Sequence, residues 1–159
     1  MIWLLVLLAQ SAVPTQIDRG EALFHDAERG CGSCHALKGK GTAVGPDLKD
    51  IARLSPRGIS MAIRSTVTQY VQVVKLKSGE SFPAMPPTDQ STKVYDLSKM
   101  PPTPHNAAKA DVASVSPNSS WKHPPSGRKY TPEELADLIG YIRFAGANNR
   151  QAVSPDDVQ

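Results

Sequence analysis

Two cysteines and a histidine form the most reactive cluster in the sequence. They lie in the run Cys31-Gly32-Ser33-Cys34-His35, and the chain has no other cysteine. Two thiols with two residues between them can add to the two vinyl groups of one haem, and the histidine that follows then lies beneath the iron as a nitrogen ligand. The spacing therefore predicts one covalent haem c on Cys31 and Cys34, with His35 as the proximal iron ligand.

Two other uses of a Cys-x-x-Cys pair conflict with the surrounding sequence. A thioredoxin-like redox pair follows a strand and begins a helix, whereas residues 18–29, before the pair, have the pattern of a helix. A structural zinc ion needs four ligands, and the sequence contains neither a second Cys-x-x-Cys pair nor an His-x-x-x-His pair. Haem attachment therefore remains the best interpretation of the motif.

The composition favours one domain of helices separated by proline-rich loops. The chain has 159 residues, 14 prolines and 6% aromatic residues, which suits a single domain without long regular elements. Its formal net charge of +3 is modest, and two haem propionates would largely offset it. A nucleic-acid partner is therefore not expected.

Three stretches of sequence are predicted to form the helices that position the motif. The first begins at Asp18, which can act as an N-cap, and ends before Gly30. The second begins at Ser55-Pro56, a serine cap with proline at the first helical position. The third covers residues 131–146 and begins with a full capping box. The polar residues 148–159 after it are predicted to be a disordered tail.

The loop after the motif carries the first resemblance to a known family. Residues 39–48 are rich in glycine and end in Gly45-Pro46-Asp47-Leu48. A Gly-Pro-x-Leu loop behind the haem motif resembles that of class I cytochrome c domains. This resemblance implies that the Pro46 carbonyl accepts the Nδ1 proton of His35, that Leu48 lines the proximal haem wall, and that the terminal helices cross closely near Gly20 and Phe24. The alternative is an ordinary surface turn at residues 45–46.

The middle of the chain differs from a minimal cytochrome c. Residues 70–76, 92–97 and 111–115 are short and rich in β-branched residues, which predicts three strands of a small antiparallel meander. A proline-rich loop at residues 100–104 separates the second strand from the third. This arrangement is similar to the haem-binding cytochrome domains of exported planctomycete and acidobacterial proteins, over residues 20–145.

That resemblance implies a fold and an electron donor. The fold class is mainly α: a cytochrome c-like helical domain over residues 16–147, with a small antiparallel β insertion over residues 70–116 before the distal loop. Domains of this kind often accompany sugar or alcohol dehydrogenase modules that use pyrroloquinoline quinone. A periplasmic dehydrogenase is therefore the electron donor that the resemblance suggests.

The sixth ligand of the iron is left open between three residues. In the resembled family a Met-Pro pair lies shortly before the last helix, and the position that matches it here is His123-Pro124. Imidazole binds haem iron well, but a pair of histidines lacks the methionine that raises the reduction potential. Met100 and Met85, which also precede prolines, are the alternatives. His123 could also be an ordinary exposed loop histidine.

The N-terminus has the features of an export signal. Residues 1–9 are apolar throughout, and small residues at positions 9, 11 and 12 offer cleavage sites. We interpret residues 1–12 as a signal peptide, which places the protein in the periplasm or outside the cell. A retained membrane anchor is the alternative, because no lysine or arginine precedes the apolar run.

These observations predict an exported single-haem electron carrier. Its partners would be redox proteins, a dehydrogenase or an oxidase, and Lys38, Lys40, Lys49 and Arg53 could form a basic docking rim. Arg53 could also pair with a haem propionate. The alternative is a haem enzyme or gas sensor with peroxidase-like chemistry, which needs an open or displaceable distal position. The sequence contains no acid and base pair that marks such a site, so no catalytic residue is predicted.

Overall fold

The computed structural model of the protein describes residues 14–65, 67–68, 70–124 and 130–159, so the predicted leader at residues 1–12 lies outside the described residues. Within these ranges three α-helices and seven short strands are present. The helices are α1 (Gln16–Phe24), α2 (Pro56–Arg64) and α3 (Pro132–Ala147). The strands are β1 (Ala36–Leu37), β2 (Lys40–Gly41), β3 (Gln72–Leu76), β4 (Ser81–Ala84), β5 (Val94–Asp96), β6 (Thr103–His105) and β7 (Val112–Pro117).

Helices α1 and α3 cross in close contact. Gly20 lies against the backbone of Asp137 and the side chain of Tyr141, so any side chain at position 20 would collide with α3. Beside this contact, the Arg19 guanidinium donates two hydrogen bonds of 2.6 and 2.8 Å to the Asp137 carboxylate. Phe24 is fully buried at the crossing, with its ring centroid 5.5 Å from that of Tyr141. The close crossing expected near Gly20 and Phe24 is confirmed.

Both ends of α1 differ from the prediction. Thr15, not Asp18, is the N-cap: its Oγ1 accepts the N–H of Asp18, and the Asp18 carboxylate accepts the N–H of Thr15. Asp18 is therefore the third residue of a capping box that begins earlier than predicted. The helix ends early because Oδ1 of Asp26 accepts the N–H groups of Glu28 and Arg29, a local turn that competes with helical hydrogen bonding.

The starts of the other two helices are confirmed. The Ser55 hydroxyl accepts the N–H of Gly58 at 3.1 Å, with Pro56 at the first helical position. Thr131 and Glu134 form the predicted reciprocal capping box, with hydrogen bonds of 3.2 and 2.9 Å. Helix α3 ends where the next residue, Asn148, takes a left-handed conformation with φ of 56°.

The main core lies between the three helices and the C-terminal segment. The prediction of a disordered tail at residues 148–159 is wrong, because Val153 and Val158 are both buried in this core. The Ser60 hydroxyl of α2 donates a 2.6 Å hydrogen bond to the Val158 carbonyl. The Gln16 amide of α1 bonds both the N–H and the carbonyl of Val153. These contacts order the segment, although its sequence is mostly polar.

The strands form three small antiparallel sheets rather than the single predicted meander. One is the β1–β2 hairpin, one has the order β4-β3-β7, and one is the β5–β6 pair. In the central sheet, Val74 of β3 lies opposite Phe82 of β4 and Val115 of β7. Strand β4 was not predicted because it contains Pro83, which is tolerated on an edge strand. Strand β6 lies partly within the predicted proline-rich loop.

The two larger sheets form a β module with a core of its own. This second core consists of Val74, Leu76, Phe82, Ala84, Val94 and Ala107. The predicted fold class is therefore supported in part: the three helices lie at residues 16–64 and 132–147 of the described chain, but the insertion between them has five strands in two sheets where three strands were predicted. No helix within the described ranges is both long enough and apolar enough to cross a membrane.

Candidate functional site

The Cys-x-x-Cys-His motif forms a tight turn between α1 and β1. Residues Cys31–Ser33 make one turn of 3-10 helix, and the Cys31 carbonyl accepts the N–H groups of Cys34 at 3.1 Å and His35 at 2.8 Å. Side chains three residues apart lie above one another in such a turn, so the thiols of Cys31 and Cys34 are available to the same ligand. Both cysteines are free and half-buried.

His35 is held by the glycine-rich loop at residues 39–48. Its Nδ1 lies 2.7 Å from the carbonyl oxygen of Pro46. A carbonyl only accepts hydrogen bonds, so Nδ1 carries the proton and the lone pair of the neutral ring is on Nε2. The Cys34 carbonyl ties the same loop to the motif by accepting the N–H groups of Val44 and Gly45. The predicted hydrogen bond is confirmed, and Nε2 is left available for a metal.

Close packing and burial fix the position and the charge of the His35 ring. A Cβ atom added to Gly45 would lie 2.5 Å from Cε1 and 2.8 Å from Nδ1 of His35, so only glycine fits at position 45. Burial lowers the pKa of His35, the hydrogen bond to Pro46 partly opposes this, and the nearby His123 lowers the pKa further. The neutral ring is the form that binds a metal.

Asp47 fixes the shape of the loop through three hydrogen bonds, a role that was not predicted from the sequence. Its carboxylate accepts the N–H groups of Lys38, Gly39 and Lys49 at 2.8 to 3.0 Å. Partial burial acts to raise the pKa of Asp47, but these three hydrogen bonds lower it below its ordinary value. Lys38 and Gly39 have positive φ values of 50° and 74°. A left-handed Lys-Gly turn shortly before an Asp is the local signal that could have indicated this role.

His123 lies opposite His35. The ring centroids of the two histidines are 5.9 Å apart, with an angle of 36° between the ring planes. Nδ1 of His123 is 2.7 Å from the carbonyl oxygen of Pro124, so His123 also has its proton on Nδ1 and its lone pair on Nε2. Two imidazoles that share one metal ion, with bonds of about 2 Å, have centroids roughly 6 Å apart. The centroid distance therefore suits two imidazoles that would bind one haem iron.

The alternative ligands are placed less favourably than His123. Met100 is 66% exposed in the turn between β5 and β6, and Met85 is half-buried directly after β4. His25 is exposed at the end of α1, with its ring near Phe24. His105 is stacked on Phe82 in the β module, with centroids 4.5 Å apart. Within the part of the chain that the structure describes, the ring that faces His35 is that of His123.

Tyr130 holds the backbone just before the motif, and this role was not predicted from the sequence. Its hydroxyl donates a 2.6 Å hydrogen bond to the carbonyl of Arg29, and the Arg29 side chain pairs with Glu134 of α3. Burial raises the pKa of the nearby Cys31 thiol to about 11. A thiol that is protonated at neutral pH is a poor redox nucleophile, so Cys31 is not activated as the first cysteine of a thioredoxin-like pair would be.

The remaining predicted site residues are found near the loop. Leu48 packs half-buried against the main core beside the His35 loop. Arg53 is exposed and forms no ion pair with any described residue. Lys38, Lys40 and Lys49 are exposed around the β1–β2 hairpin. The four cations are thus accessible on the surface, while their role as a docking rim and a propionate partner for Arg53 stay predictions.

The donor set at the motif suits one kind of cofactor. Among the described residues, no group of three or more His, Cys, Asp or Glu side chains could hold a metal ion. The site instead offers two thiols, a fixed imidazole and a second imidazole opposite. A macrocycle that supplies its own four equatorial nitrogens would need only these groups, so the residues present fit haem.

These features define a c-type haem-binding domain: a motif after the first helix, a proline carbonyl on its histidine, and a first helix crossed by the last. Residues 17–97, just over half of the chain, match the family model of Cytochrome c. The chain belongs to the cytochrome c family. This assignment supports a covalently bound haem and an electron-transfer role. No curated protein matches the sequence.

Proposed function

We propose that the protein is an exported electron carrier with one haem, attached through Cys31 and Cys34 and ligated by His35 and His123. The observation that carries this proposal is the pair of facing imidazoles, 5.9 Å apart, each with its Nδ1 on a proline carbonyl. When bound, the haem supplies an iron that takes up and releases one electron. With two cysteines in the chain, one haem is the number that the thioethers can hold.

The chain's own residues favour a carrier over a haem enzyme or a gas sensor. An enzyme or sensor needs an axial position that peroxide or a diatomic gas can reach. Here the ring of His123 lies opposite His35 and is itself restrained by the Pro124 carbonyl. Because both histidines are already held in place by the protein, the ligands of the iron would move little when the iron gains or loses an electron. This suits repeated exchange of electrons with partner proteins.

The ligand pair and the surface charge suggest the kind of partner. Two histidines give a lower reduction potential than a histidine and a methionine, which suits acceptance of electrons from a periplasmic dehydrogenase and delivery to an oxidase or another carrier. The exposed cations at positions 38, 40, 49 and 53 would steer an acidic partner to this side of the molecule. The resemblance inferred from the sequence of residues 20–145 to planctomycete and acidobacterial cytochrome domains suggests the same donor class.

Export is part of the proposal. The apolar residues 1–9 with small residues after them have the form of a signal peptide, and haem c is ordinarily attached outside the cytoplasm. Terminal sequencing of the protein purified from its natural source would test this. A chain that begins near residues 10–13 in the soluble periplasmic fraction supports export with cleavage, whereas an intact Met1 in the membrane fraction indicates a retained anchor.

Covalent attachment and ligation are tested in one set of measurements. Acidic organic extraction should leave the haem on the wild-type chain, and haem that partitions away would refute the thioether bonds. The oxidised protein should have a low-spin spectrum without the weak long-wavelength band of a sulfur ligand.

The ligand assignment is tested with three variants. His123→Ala should open the iron to carbon monoxide in the reduced protein. Met85→Ala and Met100→Ala are the matched controls and should leave the spectrum unchanged. A sulfur band that disappears in either methionine variant, with no effect of His123→Ala, would reassign the ligand. Rapid carbon monoxide binding and peroxide turnover by the wild-type protein would instead favour an enzyme or a sensor.

A further inference from the structure

The loop that carries His123 lies between β7 and α3 and is built around Asn118. Oδ1 of the Asn118 side chain accepts the N–H groups of Ser120 at 3.1 Å and Trp121 at 3.0 Å. It also accepts the hydroxyl of Ser120 at 3.0 Å. Such a side-chain turn compacts the loop by itself, but it does not determine where the loop lies relative to the rest of the protein.

Trp121 ties this loop to the β module. Its indole N–H donates a 3.0 Å hydrogen bond to the carbonyl of Leu97, which directly follows β5. Leu97 in turn donates its N–H to the carbonyl of Pro83 in β4, at 2.8 Å. Asp96 fixes the next turn by accepting the N–H and the hydroxyl of Ser98. The indole is therefore anchored to a backbone that is itself held by two sheets.

The same indole also touches the histidine. The ring centroids of Trp121 and His123 are 6.2 Å apart, and the planes are nearly perpendicular at 88°. An edge-to-face contact of this kind is favourable and restricts the rotation of the smaller ring. Trp121 thus joins the β module on one side to the imidazole that faces His35 on the other.

We propose that Trp121 is a positioning residue that holds His123 near His35. Through Trp121, the β module would limit the fraction of molecules in which His123 is displaced. This inference rests on the proposed ligation by His123. The population of molecules with His123 displaced sets how well an external ligand can bind. The indole hydrogen bond and the ring contact keep that population small.

The test compares variants that remove these two contacts separately. Trp121→Phe keeps an aromatic ring but loses the hydrogen bond to Leu97, and we expect carbon monoxide affinity of the reduced protein to rise about fivefold, the factor for one neutral hydrogen bond. Trp121→Ala also loses the ring contact and should raise the affinity roughly twentyfold. Tyr70→Ala, which removes an exposed aromatic ring elsewhere in the insertion, is the control and should change nothing.

A double variant separates this inference from the proposed function. In a His123→Ala background, Trp121→Phe should have no further effect on carbon monoxide affinity, because the residue that it positions is gone. If His123→Ala alone leaves the affinity unchanged, the ligand assignment fails. If His123→Ala opens the site but Trp121→Phe binds carbon monoxide like wild type, the ligand stands and the role of Trp121 is refuted. A low-spin oxidised spectrum confirms that each tryptophan variant is folded with its haem.

Discussion

Replacement of Gly45 by alanine should displace the proximal histidine. The new Cβ would lie 2.5 Å from Cε1 of His35, whereas ordinary contacts begin at 3.4 Å. The imidazole or the loop must therefore move by roughly 1 Å, the difference between these distances. The His35 ring cannot move that far and keep its 2.7 Å hydrogen bond to the Pro46 carbonyl.

The expected cost combines strain and a lost hydrogen bond. Overpacking of a close contact costs about 1–3 kcal/mol, and an unsatisfied carbonyl costs about 1–3 kcal/mol. We expect the free energy of unfolding of Gly45→Ala to fall by about 2–6 kcal/mol, the sum of these two ranges, measured by urea denaturation of the haem-loaded protein. The reduction potential should change as well, because Pro46 no longer orients the imidazole.

Gly39→Ala is the matched control. Gly39 also lies in the loop and has a positive φ of 74°, but an added Cβ meets no atom within 4 Å. Its substitution therefore costs only the backbone strain, about 1–2 kcal/mol, and should leave the absorption spectrum and potential unchanged. If Gly45→Ala is no less stable than Gly39→Ala and keeps the wild-type potential, the close approach of Gly45 to His35 does not matter and the reasoning is wrong.

Three further substitutions test other contacts around the site. Asp47→Asn removes a carboxylate whose folded-state pKa lies below its ordinary value of 3.8. At neutral pH the wild-type protein should be more stable than the variant by about 1–2 kcal/mol. Urea midpoints measured at decreasing pH should show this difference in stability shrinking below about pH 4. A constant difference down to about pH 2 would contradict the assigned hydrogen bonds. Tyr130→Phe loses the hydrogen bond to the Arg29 carbonyl and should lower the free energy of unfolding by about 1–2 kcal/mol without releasing the haem; an unchanged denaturation curve would show that the bond contributes nothing. Val158→Ala should lower the free energy of unfolding by about 1–3 kcal/mol, and with it the thermal midpoint, because the side chain is fully buried. A wild-type midpoint would mean that residues 148–159 do not pack against the core in solution.

Features that depend on neighbouring residues could be predicted from the sequence. The caps at Ser55 and Thr131 join residues close in the chain. The hydrogen bond from His35 to Pro46 was implied by the resemblance of the Gly-Pro-x-Leu loop to that of class I cytochrome c domains. The Cys-x-x-Cys-His spacing and the Gly-Pro-x-Leu loop are also specific enough to indicate the ligand and its support. These signals, together with the resemblance, were sufficient to predict the contact that holds the His35 ring.

Features that depend on distant residues could not be predicted in this way. Strand β7 pairs with β3 rather than with a sequence neighbour, and no local pattern states that preference. Val153 and Val158 lie in a polar stretch, and their burial depends on the positions of all three helices. The anchoring of Trp121 depends on the Leu97 carbonyl, 24 positions earlier, and side-chain composition does not reveal a backbone acceptor.

The crossing of α1 and α3 has a consequence for how the chain folds. The ion pair between Arg19 and Asp137 joins residues 118 positions apart. The contact between α1 and α3 in the main core therefore forms only after a very large loop has closed. The β3–β4 hairpin, in contrast, needs only neighbouring residues. We therefore expect that an exported chain in which α3 has not yet docked contains the whole haem motif but no folded core around it. In that state Cys31 and Cys34 would be exposed, so the thioether bonds can form before the final helix covers α1.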